Sequence, residues 1–240
     1  MKSSLCFTSS LATLACFLSV TDSRATGIQF YTVPATANIY SAGLSSPVAP
    51  GGDGAGTLPV YIPVSAGQST FQFSASGSIT ENTGIGVYHG PDGGTIAGLT
   101  VYAYGGLSGF MTDLTLPLAG VFLSDSAPQD PAPPTLDFRS GGLGLDFLTL
   151  SPLIGQVFFI GDGQTSGGMA QTFNVPSGAT RLYLGCPDAP YGQGYPGAYD
   201  DNAGTLNVAV IAVPEPAAIA LGATVLALSV LLRRQKARPV

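Results

Sequence analysis

The feature that most restricts the fold of this chain is how often glycine and proline interrupt its apolar segments. The chain contains 33 glycines and 19 prolines, and both residues are unfavourable inside a helix. Between residues 26 and 212 the apolar runs are short, rich in β-branched and aromatic residues, and separated by Gly, Pro, Asp and Ser. This pattern is typical of strands, and no segment before residue 213 has the pattern of a helix.

The pattern predicts ten strands between residues 26 and 212. They are Gln29–Val33, Leu58–Ile62, Ser69–Ser74, Gly86–Tyr88, Thr100–Tyr104, Leu114–Leu123, Gln156–Ile160, Gln171–Val175, Thr180–Leu184 and Thr205–Val210. The stretch from Asp125 to Pro134 is expected to be a loop, because its prolines lack the amide hydrogen that a central strand needs. Many short strands separated by turns favour one antiparallel β-sandwich, jelly-roll-like in layout.

The first 25 residues have a different composition. Lys2 is followed by an apolar stretch from Leu11 to Val20 and then by small residues before a plausible cut after Ala25. This is the layout of a secretory signal peptide, which is removed from the mature protein. We therefore expect the chain to be exported.

The last residues contain an apolar run, Ala217 to Leu232, followed by a basic tip that begins with Arg233 and Arg234. As a helix, these 16 residues would be about 24 Å long, slightly less than the roughly 30 Å of a bilayer's hydrocarbon core. The two arginines can extend this span, since their aliphatic stems can lie along the apolar layer. The positive charges place the C-terminus in the cytoplasm and everything before Val213 outside.

A short motif, Val213-Pro214-Glu215-Pro216, precedes the apolar run. Together with the signal peptide and the basic tip, residues 213–240 resemble the PEP-CTERM sorting domain of bacterial exported proteins. The resemblance implies that an exosortase recognises the tail at the inner membrane, removes it and delivers the protein to the cell surface or to an extracellular polysaccharide matrix. A plain single-pass membrane anchor is the alternative.

The exported part, residues 26–212, is strongly acidic. Of the chain's fourteen acidic residues it lacks only Asp22 and Glu215, and its only basic residues besides the single histidine are Arg139 and Arg181, so its formal charge is −10. Such a surface repels phosphate backbones and attracts divalent cations. We therefore expect no nucleic-acid partner.

Side chains suited to catalysis are scarce. His89 is the only histidine and lies in a turn-like sequence, which leaves little from which to build a serine triad or a histidine metal site. Glu81 is the only glutamate of the exported part, so paired carboxylates for glycoside hydrolysis have little support. We predict that the protein is not an enzyme, and an exported hydrolase ranks third among its possible functions.

The most informative stretch is the long loop between Leu182 and Val210, which carries Asp188, Asp200, Asp201 and Asn202. Calcium takes six to eight such hard oxygen ligands and tolerates irregular loops. The same residue types are also those that turns select, so residues 201–204 could simply form a hairpin turn. Composition alone leaves both interpretations open.

Longer motifs around this loop carry a second resemblance. The segments "FIGDG" and "AQTFNVPSGATRLYLG", and a loop that ends in Asp-Asn-x-Gly-Thr-Leu-Asn-Val, are similar to the C-terminal half of bacterial calcium-dependent galactose-binding lectins. In that family calcium bridges two vicinal sugar hydroxyls. The resemblance implies five calcium-binding positions: the side chains of Asp188, Asp201 and Asn202, the carbonyl of Ala198, and a carbonyl near Glu81.

The sequence departs from the lectin pattern in three ways. Asp201 stands where the lectins have Asn, and the loop after Asp188 is longer. The histidine-containing segment that contacts sugar in the lectins also has no counterpart. Calcium-assisted carbohydrate binding is therefore the leading hypothesis without a defined sugar, and a structural matrix or biofilm protein is the runner-up.

Overall fold

The computed structural model describes residues 27–214, which form three β-sheets and two single-turn 3₁₀ helices, Ile39–Ser41 and Pro190–Gly192. The strands are β1 Ile28–Pro34, β2 Val60–Pro63, β3 Gln68–Thr80, β4 Leu99–Val101, β5 Phe110–Thr112, β6 Ala119–Leu123, β7 Leu136–Asp137, β8 Thr149–Leu150, β9 Val157–Phe159, β10 Thr172–Asn174, β11 Arg181–Gly185, β12 Gln193–Gly194 and β13 Ala203–Pro214. The prediction of an all-β chain is confirmed.

The predicted signal peptide and most of the predicted sorting tail lie outside the described residues. Only Val213 and Pro214 of the tail are described, and they form the end of β13. Within residues 27–214, no helix has the length and apolar character needed to cross a membrane.

The first sheet has the strand order β1-β13-β3-β10-β8 and is built around β13. This strand pairs antiparallel with β1 on one side and with β3 on the other. Leu206, Val208 and Val210 alternate along β13 and are buried, as expected for a strand with one face on the core. The first and last described strands are therefore neighbours in the same sheet.

The second sheet has the order β2-β11-β6-β9, and the third has the order β12-β4-β5-β7. Most neighbouring strands are antiparallel, as predicted, but the pairs β10–β8, β12–β4 and β5–β7 are parallel. Each parallel pair contains a strand of only two residues. These strands are joined to their partners by long connections and not by hairpins, which is what parallel pairing requires.

Aromatic side chains fill the space between the first two sheets. The ring of Phe173 in β10 lies 5.4 Å from that of Phe158 in β9, and the ring of Phe71 in β3 lies 6.0 Å from that of Phe122 in β6. All four side chains are buried. The two sheets thus share one core, in the manner of a β-sandwich. The third sheet joins this core through Phe138, whose ring lies 6.0 Å from Phe159.

Candidate functional site

The fold brings the predicted calcium-binding residues to the end of the first sheet where β13 begins and β3 finishes. β11 ends at Gly185, and the chain then runs through a long loop to Ala203, where β13 begins. Ala203 pairs with Thr80, the last residue of β3. The next residue, Glu81, therefore lies opposite Asn202, although the two residues are far apart in the sequence.

A second loop, residues 49–56, supports the first. The Gly51 amide donates to the Pro196 carbonyl (2.9 Å), and the Ala198 amide donates to the Gly52 carbonyl (2.9 Å). At Gly54 the chain has a positive φ of +88°, and a side chain there would approach the Asp200 amide nitrogen to 2.6 Å. Only glycine allows the two loops to lie this close.

The centre of the site is a buried pair formed by Asp188 and Asn202. Each residue is only 7% exposed. The Asn202 amide donates to Asp188 Oδ2 (2.9 Å), while Asp188 Oδ1 accepts from the Ala189 amide (2.8 Å). The second amide hydrogen of Asn202 points to the Ala35 carbonyl, at 3.5 Å. Two residues separated by most of the loop are thus in direct contact.

This environment is unfavourable for a negative charge. The pKa of Asp188 is raised to about 8, mainly by burial and to a smaller extent by the nearby carboxylates of Asp201 and Glu81. The hydrogen bonds from Asn202 and the Ala189 amide act in the opposite direction. A cation beside this carboxylate would relieve the cost of ionising it.

One polar atom of the pair lacks a partner. Both amide hydrogens of Asn202 are directed at acceptors, but its Oδ1 is buried and has no hydrogen-bond partner. An unsatisfied buried oxygen costs about 1–3 kcal/mol. An oxygen of this kind, next to a carboxylate, is a suitable ligand for calcium.

The buried hydroxyl of Tyr199 fixes the position of the Asp188 main chain. It donates to the Cys186 carbonyl (2.7 Å) and accepts from the Asp188 amide (3.1 Å). Sequence reasoning missed Tyr199, because a tyrosine in a loop rich in Tyr and Gly gives no local sign of burial. The neighbouring Cys186 is a free, buried thiol whose pKa is raised by burial.

The other three predicted residues lie around this pair in different ways. Partial burial and the charge of Asp200 raise the pKa of Asp201, and its carbonyl accepts from the Thr83 amide (2.9 Å). Ala198 has a positive φ of +66°. The Glu81 carboxylate contacts His89 Nε2 (3.0 Å) and Thr115 Oγ1 (3.3 Å), so only its main chain is left for the predicted role.

The oxygens of these residues are of the kinds that calcium takes. In the part of the chain that the structure describes, no three His, Cys, Asp or Glu side chains converge on a common metal position. A calcium ion here would instead be held by the carboxylates of Asp188 and Asp201, by Asn202 Oδ1, and by main-chain carbonyls such as that of Ala198.

The alternative interpretation, a hairpin turn at residues 201–204, does not match the geometry. Ala203 and Gly204 already belong to β13. The strand before them, β12, pairs with β4 in the third sheet and not with β13. Asp201 and Asn202 therefore end a long loop between sheets.

An acidic cleft lies elsewhere on the molecule, away from the predicted calcium-binding residues. It has a volume of about 580 Å³ and is lined by Asp92, Asp146, Asp162, Gln164 and the ring of Phe159, among others. Its three carboxylates already accept hydrogen bonds from main-chain amides: those of Asp162, Ser166 and Gln164. These hydrogen bonds hold the surrounding loops in place. They explain why carboxylates occur here, so no bound ligand is needed to explain them.

Comparison with known protein families and with curated proteins finds no match for this chain.

Proposed function

We propose that this protein is exported, is sorted through its C-terminal tail, and binds carbohydrate through a calcium ion held by Asp188, Asp201 and Asn202. The observation that carries the calcium site is the buried Asp188–Asn202 pair, in which a carboxylate with a raised pKa lies beside an amide oxygen without a partner. Calcium would satisfy both groups at once. Carbohydrate binding is proposed because of the resemblance to the lectins, in which the calcium ion itself holds two sugar hydroxyls.

Calcium binding is tested by thermal melting of the full chain in detergent, with calcium and with a chelator. An ion bound only by the folded state stabilises it by about 2.7 kcal/mol at a hundredfold excess over the dissociation constant. Extracellular calcium sites have dissociation constants of about 0.1–1 mM, so the titration should reach tens of millimolar. We expect a chelator to lower the melting temperature of the wild type.

The variants Asp188→Ala and Asp201→Ala should lose this gain. Asp125→Ala should keep it, since Asp125 lies in the proline-rich loop and accepts only from Thr180 Oγ1 (2.7 Å). Identical melting of the wild type in calcium and in chelator would refute the metal site.

Binding of carbohydrate is tested on a glycan array, with and without chelator. Calcium-dependent signals that disappear in Asp188→Ala would support the proposal. A structural role is the second candidate, because the Asp188–Asn202 pair is buried and an ion there could simply hold the loop in place. In that case chelator would lower the melting temperature while no glycan bound. Turnover of polysaccharide by the purified protein would overturn the proposal that it is not an enzyme.

Sorting by an exosortase rests on residues 213–240. The Val213 carbonyl accepts from Gln68 Nε2 and from Ser69 Oγ, both at 3.0 Å, so the sorting motif begins within the last strand. Only Glu215 and Pro216 separate β13 from the apolar run, a distance of about 10 Å when fully extended. A processing enzyme would therefore act close to the folded sheet.

The processing proposal predicts a precursor and a smaller mature form at the cell surface. Mass spectrometry should find that the mature form lacks the basic tip. Replacing Arg233 and Arg234 together by Glu should leave the precursor unprocessed, because the charges that orient the tail are reversed. Arg139→Gln, on the exported part, should not affect processing. An intact C-terminus on the surface protein would contradict this proposal.

A further inference from the structure

Exposed tyrosines cluster where the long loop meets the third sheet. Tyr102 follows β4 and is 43% exposed, Tyr195 follows β12 and is 51% exposed, and Tyr191 in the intervening 3₁₀ turn is fully exposed. In contrast, most of the phenylalanine side chains of the described residues are buried in the core. Rings left in water at one place in the fold are candidates for a contact surface.

The arrangement of two of these rings is fixed by the backbone. Tyr102 and Tyr195 meet edge to face, with ring centroids 5.6 Å apart and an interplanar angle of 87°. The Tyr102 amide donates to the Gly194 carbonyl (2.7 Å), and Gln193 Nε2 donates to the Tyr102 hydroxyl (3.2 Å). A ligand would thus meet rings that are already positioned, which reduces the entropy cost of binding.

Tyr191 is presented to solvent by an unusual backbone conformation. Its φ and ψ are 58° and 23°, in the left-handed region that non-glycine residues rarely occupy. Such a conformation is costly and persists only where the surrounding structure imposes it. Here it places a third tyrosine, with its ring in water, in the turn that leads into β12.

We propose that Tyr102 and Tyr195, together with Tyr191, form a stacking platform for the pyranose rings of a neutral polysaccharide. This inference rests on the proposed carbohydrate-binding function and adds a second sugar-contacting surface to it, one that does not depend on the ion. The C–H groups on a pyranose face are weakly positive and match the negative face of an aromatic ring. The sugar hydroxyls would meet the polar rim formed by the tyrosine hydroxyls and Gln193.

The charge of the domain favours a neutral ligand. Nucleic-acid bases also stack on tyrosine, but the formal charge of −10 on residues 26–212 repels a phosphate backbone. The two arginines of this part of the chain are engaged elsewhere: Arg139 pairs with Asp137, and Arg181 donates to the carbonyls of Ser124 and Ser126. Neither arginine donates a hydrogen bond to Tyr102, Tyr191 or Tyr195.

The test is affinity electrophoresis of the full chain, in a detergent without a sugar headgroup, through gels that contain dextran or galactan. The wild type should be retarded by at least one polysaccharide. Tyr195→Ala should weaken that binding about tenfold, the size expected for the loss of one stacked ring. Tyr195→Phe, which keeps the ring and loses only one hydroxyl of the polar rim, should weaken binding much less than Tyr195→Ala.

Tyr61 provides a matched control. It is 50% exposed and its ring also lies 5.6 Å from another tyrosine, Tyr183, but on the second sheet. Tyr61→Ala should therefore migrate like the wild type. Equal weakening by Tyr61→Ala and Tyr195→Ala would overturn the platform, as would the absence of retardation in both polysaccharides. The melting temperatures of the variants, expected to stay within about 2 °C of the wild type, show that they are folded.

Repeating the gels with chelator separates this inference from the calcium site. Retardation that depends on Tyr195 but persists in chelator would support the platform and contradict the calcium-dependent part of the proposed function. Retardation that vanishes in chelator yet is unchanged by Tyr195→Ala would support the calcium site and overturn the platform.

Discussion

The ionisation of Asp188 should make calcium binding depend steeply on pH. Calcium binds the ionised carboxylate, but burial raises the pKa of Asp188 to about 8 without the ion. At pH 7 about nine-tenths of this carboxyl is therefore protonated, and each calcium ion that binds must displace about 0.9 proton. The dissociation constant should fall about ninefold from pH 6 to 7, about fivefold from pH 7 to 8, and less than about twofold from pH 8 to 9.

When calcium is removed, the ionisation of Asp188 should lower the stability of the folded state as the pH rises, whereas it strengthens calcium binding. The folded-state pKa of about 8 lies above the ordinary value of 3.8, so the folded state holds the proton more tightly between these pH values. The contribution of Asp188 is thus fully present below pH 4 and is lost as the pH rises towards 8, by up to about 1.4 kcal/mol per pH unit. In chelator, the difference in stability between wild type and Asp188→Asn should show this slope, because the amide does not titrate.

Isothermal titration calorimetry of the full chain between pH 6 and 9 measures the dissociation constant. Running it at pH 7 in two buffers with different ionisation enthalpies gives the number of protons released. Asp125→Ala should reproduce the wild-type profile. A dissociation constant that is the same at pH 6 and pH 8, or no proton release at pH 7, would refute the assignment of Asp188 as a ligand.

Two further substitutions test the packing of the fold and of the site. Phe173→Ala should lower the free energy of unfolding by about 3–5 kcal/mol in a denaturant titration, because its ring is buried against phenylalanines of the first and second sheets. The control Phe30→Ala, at an exposed position, should change the free energy of unfolding by less than about 0.5 kcal/mol. Gly54→Ala should weaken calcium binding in the same calorimetric assay, because the added methyl group would collide with Asp200. The control Gly67→Ala has a similar positive φ but open space around it, so it should leave calcium binding unchanged. Equal effects within either pair would contradict the corresponding packing argument.

The sequence predicted most of the longer strands because their pattern is local. β-Branched and aromatic runs between Gly and Pro indicated β1, β10 and β11 nearly at their observed bounds. The predicted strand at Gly86–Tyr88 is wrong: the Asn82 carbonyl there accepts from the Ile85 and Gly86 amides and forms a turn. Its short apolar run resembles a strand, but nothing in the sequence shows that it lacks a neighbouring strand to pair with.

Other differences also have a tertiary cause. The predicted strand from Leu114 to Leu123 begins only at Ala119, because Leu116 has a positive φ of 45° and Pro117 follows it. The three-residue strand β5 and the two-residue strands β7, β8 and β12 were missed, since so few residues carry no periodic signal. They exist because neighbouring chain segments supply their hydrogen-bond partners.

For the candidate site, the sequence by itself determined which oxygen-bearing side chains are available, and the tertiary structure decided their arrangement. Oxygen-bearing residues, a negative charge and a Gly-rich loop could be identified in the chain without coordinates. The contact between Asp188 and Asn202, their burial and the unpartnered Asn202 oxygen arise only once the loop that follows β11 of the second sheet is placed against the start of β13 in the first sheet. The pKa of Asp188 depends on desolvation and on carboxylates brought close by the fold. These quantities depend on distances in space between residues remote in sequence, which a local pattern does not contain.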